Sequence, residues 1–265
     1  MPVPNFAGKD RFTSIYSADD FIAHLRRNGW DPGTLPTGVI FTYGGFDLLC
    51  SAQREQYSMN PMLGPGPGRF FYANSTNGRV ALCCLGIGAP AAAAQLEVLS
   101  SLGVHDFLSL GTAGGLGPDQ APGDVVLLTG ALRDEGVSYH YAAPGAAVVA
   151  DRDLTEALAK RLGEAGITFT SGSTWTTDAS YRQTREEIAQ YRRQGILTVE
   201  MEAAALFAVA AVRDVRLASA VVLDAVFGEP IGTPKMDTAG AFTKLHDVVL
   251  IGIDVLASAA RDHRE

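Results

Sequence analysis

The chain has 265 residues, 47% of them hydrophobic and 19% charged, which fits a globular protein with a sizeable core and excludes a disordered one. Its formal charge is −8, and no run of Lys or Arg is long enough to track a phosphate backbone, so a nucleic-acid partner is not expected. No stretch approaches the ~20 uninterrupted apolar residues that cross a bilayer, so no membrane partner is expected either.

Short apolar runs alternate with helix-period segments along most of the chain. Residues 1–35 read as an N-terminal extension of a single domain spanning 1–265. The N-terminus lacks a basic segment leading into an apolar one, so no secretory leader and a cytoplasmic location are expected. Residues 38–43 read as a strand ending in Gly44-Gly45. Residues 53–78 read as a loop, because Pro61, Gly64, Pro65, Gly66, Pro67 and Gly68 crowd together. Residues 79–85 form the next predicted strand. It contains Cys83 and Cys84, small apolar residues suited to a buried strand. With Cys50 the cysteine count is odd, which argues against a disulfide framework. No His lies close enough to suggest a metal site.

Gly86-Ile-Gly88 turns this strand into a helix over 91–102, with Pro90 in its first turn and Gly103 as C-cap. A strand over 104–110 runs into Gly111-Thr-Ala-Gly-Gly115, and another follows over 124–129. Residues 151–164 carry Leu154, Leu158 and Leu162 on one helical stripe. Further on come a strand over 167–171, a helix over 185–193, an alanine-rich helix over 198–212, a strand over 218–224 and a helix over 238–260. This alternation implies an α/β fold with a twisted, mostly parallel sheet covered by helices. Strands buried on both faces read as continuous apolar runs.

In such a sheet, ligands bind beyond the carboxyl ends of the strands. Gly44-Gly45, Gly86-Ile-Gly88, the 111–115 turn and Asp224 all fall there. Glycine lets backbone approach a ligand and present N–H groups to an anion, although a single such turn often only relieves crowding. Thr112 adds a hydroxyl. Glu200 and Glu202 stand one residue apart at the predicted helix opening, so one of them is expected to face away from the core. Acids there either complement the helix dipole or grip a vicinal diol such as that of ribose. Gln183 and Arg185 offer an amide and a guanidinium, to the edge of a base or to solvent.

Together these motifs resemble the nucleoside phosphorylase superfamily, closest to its uridine phosphorylase branch. The resemblance runs over residues 80–224 in the family's motif order: Gly86-Ile-Gly88, Phe107-Leu-Ser-Leu-Gly-Thr-Ala-Gly-Gly115, Pro122-Gly-Asp124, Arg133 to His140, Gln183/Arg185 and Val199-Glu-Met-Glu-Ala203. It implies a single α/β domain assembled as a homo-oligomer, hexamer or dimer, that exchanges base for phosphate on a nucleoside. Phosphate is then a co-substrate, and no cofactor or metal is implied. Thr112 would contact phosphate and ribose, Met201 and Glu202 ribose, and Gln183 and Arg185 a pyrimidine. Ala113, Gly114, Ser180 and Tyr181 would border the base. Glu202, Arg185 and Asp224 would carry the catalysis. Asp224 aligns either with an acid that protonates a purine or, one position away, with an asparagine of the uridine branch.

The phosphate site departs from the family pattern. The stretch Tyr43-Gly-Gly-Phe-Asp-Leu-Leu49 keeps Gly44 and Gly45 but lacks the family's arginine. Ser109 stands where a second arginine is usual, and Arg69 matches an arginine donated by a neighbouring subunit. Charge-assisted hydrogen bonds are about twice as strong as neutral ones, so these losses weaken phosphate capture. The related nucleosidases use water instead, which keeps hydrolysis of the same bond as an alternative. A binding protein that retains the pocket without turnover is a third.

Overall fold

A computed structural model of the chain describes residues 6–59 and 68–262. Pro61, Gly64, Pro65, Gly66 and Pro67 lie outside the described residues. The N-terminal extension carries a helix that sequence periodicity does not reveal, α1 (Ala18–Arg27). Ser17 and Asp20 close a reciprocal capping box at its start.

Eleven described strands form one sheet: β1 (Gly38–Tyr43), β2 (Tyr57–Met59), β3 (Arg69–Ala73), β4 (Val80–Leu85), β5 (Asp106–Gly115), β6 (Val125–Asp134), β7 (Val148–Val149), β8 (Phe169–Thr177), β9 (Thr198–Glu200), β10 (Arg216–Val226) and β11 (Lys235–Met236). β4, β1, β5 and β10 lie side by side and parallel. A second parallel block, β6, β8 and β9, joins them through antiparallel pairings of β6 with β10 and β9 with β5. The strands β5, β10, β6, β8 and β9 thereby close a ring.

The remaining helices are α2 (Phe46–Ala52), α3 (Ala89–Ser101), α4 (Arg152–Glu164), α5 (Arg185–Arg193), α6 (Ala203–Arg213) and α7 (Thr238–Asp262). α1, α3 and α6 cover one face of the sheet, around Phe41, Phe107 and Leu206. α2, α4 and α7 cover the other, around Leu82, Leu108, Leu158 and Val248. Fully burying one such side chain contributes roughly 1.5–3 kcal/mol, so these two layers hold the domain together. A smaller cluster of Leu116, Trp175, Ile188 and Val199 lies under α5.

Two expectations are corrected. Residues 53–78 are not simply a loop: β2 and β3 form an antiparallel pair that extends the sheet beyond β4. Phe70 and Phe71 are both buried there, a short apolar run overshadowed by the glycines and prolines before it. Residues 198–212 are not one helix either. Thr198–Glu200 is a strand, and α6 begins only at Ala203. β5 and β8 each run past the expected end, to Gly115 and Thr177, and offer unpaired backbone on both sides of this segment. Backbone pairing therefore decides its conformation over its alanine-rich continuation.

Candidate active site

Gly86-Ile-Gly88 follows β4 and opens α3. Gly88 has φ +118, a region that side-chain-bearing residues avoid, and its N–H donates to Glu202 Oε1 at 2.6 Å. Glu202 is the residue before α6. Glu200 ends β9 and points its carboxylate back at the same helix. Its Oε2 accepts the N–H groups of Glu202 and Ala203, both at 2.7 Å. Its Oε1 accepts the Thr176 hydroxyl at 2.5 Å, and Thr176 Oγ1 in turn accepts the Ala204 N–H at 3.0 Å. The first N–H groups of a helix have no partner within it, and here Glu200 and Thr176 supply one.

This overturns the expectation that one acid must face away from the core. Both are buried, Glu200 at 8% exposure and Glu202 at 6%. The strand-to-helix corner, rather than a continuous helix, turns both carboxylates inward. Burial pushes both carboxyls above their ordinary range, and for Glu202 the neighbouring Glu200 charge adds to it, reaching about 8.

Tyr43, the last residue of β1, connects this corner to the floor of the sheet. Its hydroxyl is 2.9 Å from Ser109 Oγ, and Ser219 Oγ donates to the Ser109 carbonyl at 3.0 Å. A Cβ at position 111 would stand 3.0 Å from the Tyr43 ring, so glycine is what admits the ring beside β5. Burial and then the charge on Glu202 hold the Tyr43 phenol well above its usual range. One strand further, Thr112 of β5 lies beside Asp224 of β10. Asp224 sits at an irregularity in the β5–β10 register, between Leu223 and Ala225, where a bulge re-aims a side chain. Burial raises its carboxyl, opposed by the Thr112 side chain.

The other expected residues lie on several elements. Gly44 and Gly45 have φ +62 and +93 and form the turn into α2. Arg69 is exposed on β3 and pairs within the chain with Asp47 of α2 at 2.8 Å. Ala113 is buried and Gly114 pairs with Val199. Met201 is half-buried between the two acids. Ser180, Tyr181 and Arg185 are exposed and Gln183 is half-buried, all around a short 3-10 turn and the start of α5. Asp178 ties the beginning of that segment down by accepting the Gly136 N–H at 2.8 Å.

Glu202 thus lies near the Tyr43–Ser109 pair at the ends of β1 and β5, Thr112 and Asp224 stand together further along β5 and β10, and Tyr181 and Arg185 are exposed. Arg133, named by the sequence without a contact, binds the carbonyls of Ala142, Ala143 and Ala146 and fixes the segment after β6. Sequence reasoning missed Tyr43, although it directly precedes Gly44 at a strand end. It also missed Thr176 and Phe227, which no spacing marks. The Phe227 ring would lie 3.3 Å from a Cβ at position 114. Among the described residues, no group of three His, Cys, Asp or Glu side chains is placed to hold a metal ion. A separate cleft of about 1030 Å³ lies against the N-terminal segment, bordered by Phe12, Tyr16, His140 and Arg213, away from the strand ends.

Fold and site together define an α/β protein that presents glycine turns and buried acids at the carboxyl ends of its parallel strands. Residues 42–245 match the family model described as Phosphorylase superfamily. The chain belongs to that family. It is 34% identical over 143 residues to guanosine phosphorylase of Halorubrum lacusprofundi, covering 54% of this chain and 59% of that protein. It is 36% identical over 148 residues to uridine phosphorylase of Treponema pallidum, with 52% and 57% covered. Against uridine phosphorylase of Escherichia coli it is 30% identical over 151 residues, with 52% and 60% covered. These matches span well under two thirds of each relative.

Two solved structures share the fold. Purine nucleoside phosphorylase from Toxoplasma gondii in complex with immucillin-H gives a TM-score of 0.75 at 21% identity, covering 87% of this chain and 94% of that one. AMP nucleosidase from Bacteroides thetaiotaomicron gives 0.75 at 17%, covering 94% and 100%. The fold is that of the nucleoside phosphorylases. Among the described residues, no helix is long and apolar enough to cross a membrane.

Proposed function

We propose that the protein cleaves the N-glycosidic bond of a nucleoside with phosphate, giving free base and ribose 1-phosphate, with a pyrimidine nucleoside favoured. One observation carries the reading. Glu202, anchored by Gly88, lies in the field of Tyr43, which is bonded to Ser109 and packs against Gly111 near the end of β5. A carboxyl able to hold a diol therefore stands near the glycine-bearing end of β5, where backbone is able to face an anion. The names of the uridine and guanosine phosphorylase relatives support the same reading.

As the bond breaks, positive charge builds on the sugar and negative charge on the base. Groups that interact more strongly with that charged state than with the intact nucleoside lower the barrier. Glu202 and Met201 hold the ribose, and Thr112 bridges ribose and phosphate. Gly44, Gly45, Ser109 and Arg69 receive the phosphate, while Gln183 and Arg185 stabilise the carbonyls of a departing uracil. For a purine, Asp224 donates a proton to the ring; its raised pKa suits a general acid. The enzyme acts as a homo-oligomer.

A second reading, hydrolysis by water, has its own support. The Ser109 hydroxyl is engaged by Tyr43, and the nearest acids, Glu200 and Glu202, disfavour a dianion. Incubation with uridine, inosine and adenosine, with and without phosphate, separates the two by base release. Release that requires phosphate is expected. Equal release without it gives hydrolysis, and binding without release from any nucleoside overturns both.

A further inference from the structure

We propose that Glu200 is a positioning residue that, anchored by Thr176, holds the backbone and carboxylate of Glu202 where they can engage the sugar. Its consequence for turnover rests on the glycoside chemistry proposed above; its geometry does not. Glu200 Oε2 already accepts two N–H groups, those of Glu202 and Ala203, and Oε1 accepts the Thr176 hydroxyl. A carboxylate so engaged has little acceptor capacity left for a diol. Glu202, by contrast, accepts the Gly88 N–H on Oε1, and among the described residues no side-chain donor engages it.

Thr176 and Glu200 are direct neighbours in the β8–β9 register. The pair therefore ties β8 and β9 to the start of α6. Thr176 uses its hydroxyl in both directions, donating to Glu200 and accepting from Ala204. Loss of either side chain leaves buried N–H groups without a partner and frees the corner that carries Glu202.

The charged neighbours that raise Glu200 and Glu202 are acids. Glu202 faces Glu200 from β9, Asp178 from the segment after β8 and the Tyr43 phenol from β1, while α3 contributes the Gly88 N–H. Glu200 itself faces Glu135, from the segment after β6. Removing the Glu200 charge must ease ionisation of Glu202.

The experiment combines glutamate carboxyl NMR with steady-state kinetics on the full chain. Side-chain ¹³C-labelled wild type, Glu200→Gln, Thr176→Val and Thr176→Ser are titrated, the Glu202 resonance being assigned with Glu202→Gln. In Glu200→Gln the Glu202 midpoint is expected to fall by about one pH unit or more. Thr176→Val should move it the same way and lower kcat/KM about tenfold, and Thr176→Ser should restore both. A Glu202 midpoint unmoved in Glu200→Gln and in Thr176→Val overturns the proposal. The Thr176 pair decides it alone should Glu200→Gln not fold. Wild-type protein that cleaves no nucleoside but shows these shifts supports the positioning role and undoes only the functional reading.

Discussion

Glu202 is where burial, charge and geometry meet on a single side chain. Glu202→Gln is expected to reduce turnover about tenfold, the scale of a lost hydrogen-bond partner for the diol, with folding retained. Circular dichroism beside nucleoside-cleavage assays checks this, and an unchanged rate removes Glu202 from the site. The same residue makes stability depend on pH. Its folded pKa of about 8 lies above the ordinary 4.5, so the fold favours the protonated form. That contribution is complete below the unfolded value and is lost as pH rises through the folded one. The urea midpoint of Glu202→Gln relative to wild type should therefore climb from about pH 5 to about pH 8. A constant difference would show that Glu202 ionises freely. Arg185→Ala should lower kcat/KM for uridine more than for inosine; equal losses undo its assignment to the base.

Elements place these residues, and their ends matter more than their middles. α5 starts with a capping box in which Thr184 and Glu187 satisfy each other's N–H groups, and Arg185 is its first residue. Thr184→Ala should destabilise that helix end by about 1 kcal/mol. Hydrogen exchange should show faster amide exchange in the first turn of α5 and no change in α3. The strand-to-helix corner at residues 200–203 was not legible in the sequence. A three-residue strand has no periodicity of its own, and the alanines that follow extend a helical pattern backward over it. Longer elements behaved oppositely: α4 stands where its leucine spacing predicts, and α5 covers the expected 185–193.

At the scale of the whole molecule, two helical layers hold the ring of strands whose ends carry the site. Leu158 is fully buried in the layer of α4 and α7. Leu158→Ala should cost about 2–5 kcal/mol in urea unfolding while leaving KM unchanged, because that layer lies away from Glu202. The proposed homo-oligomer is testable at the opposite end of the chain. Phe12, Ile15 and Tyr16 are exposed at 65%, 105% and 61%, a concentration of apolar surface that a subunit contact would cover. Light scattering should give a multiple of 28.0 kDa, and Ile15→Asp should lower it. A monomeric mass for wild type removes the homo-oligomer.

The amino-acid sequence by itself determined the α/β class, most strand and helix positions, and the glycine turns after β1 and β4, whereas the expected turn at 111–115 is part of β5. Those features follow from local apolar spacing and from backbone conformations open only to glycine. Tertiary structure alone decided that Glu200 and Glu202 are both buried, that Tyr43 stands against Gly111, and that Asp224 meets Thr112. Each depends on strands far apart in the chain lying side by side: β9 is a strand only because β5 and β8 flank it, and Thr112 finds Asp224 only because β10 pairs with β5. Such pairings leave no mark on the residues near them in sequence.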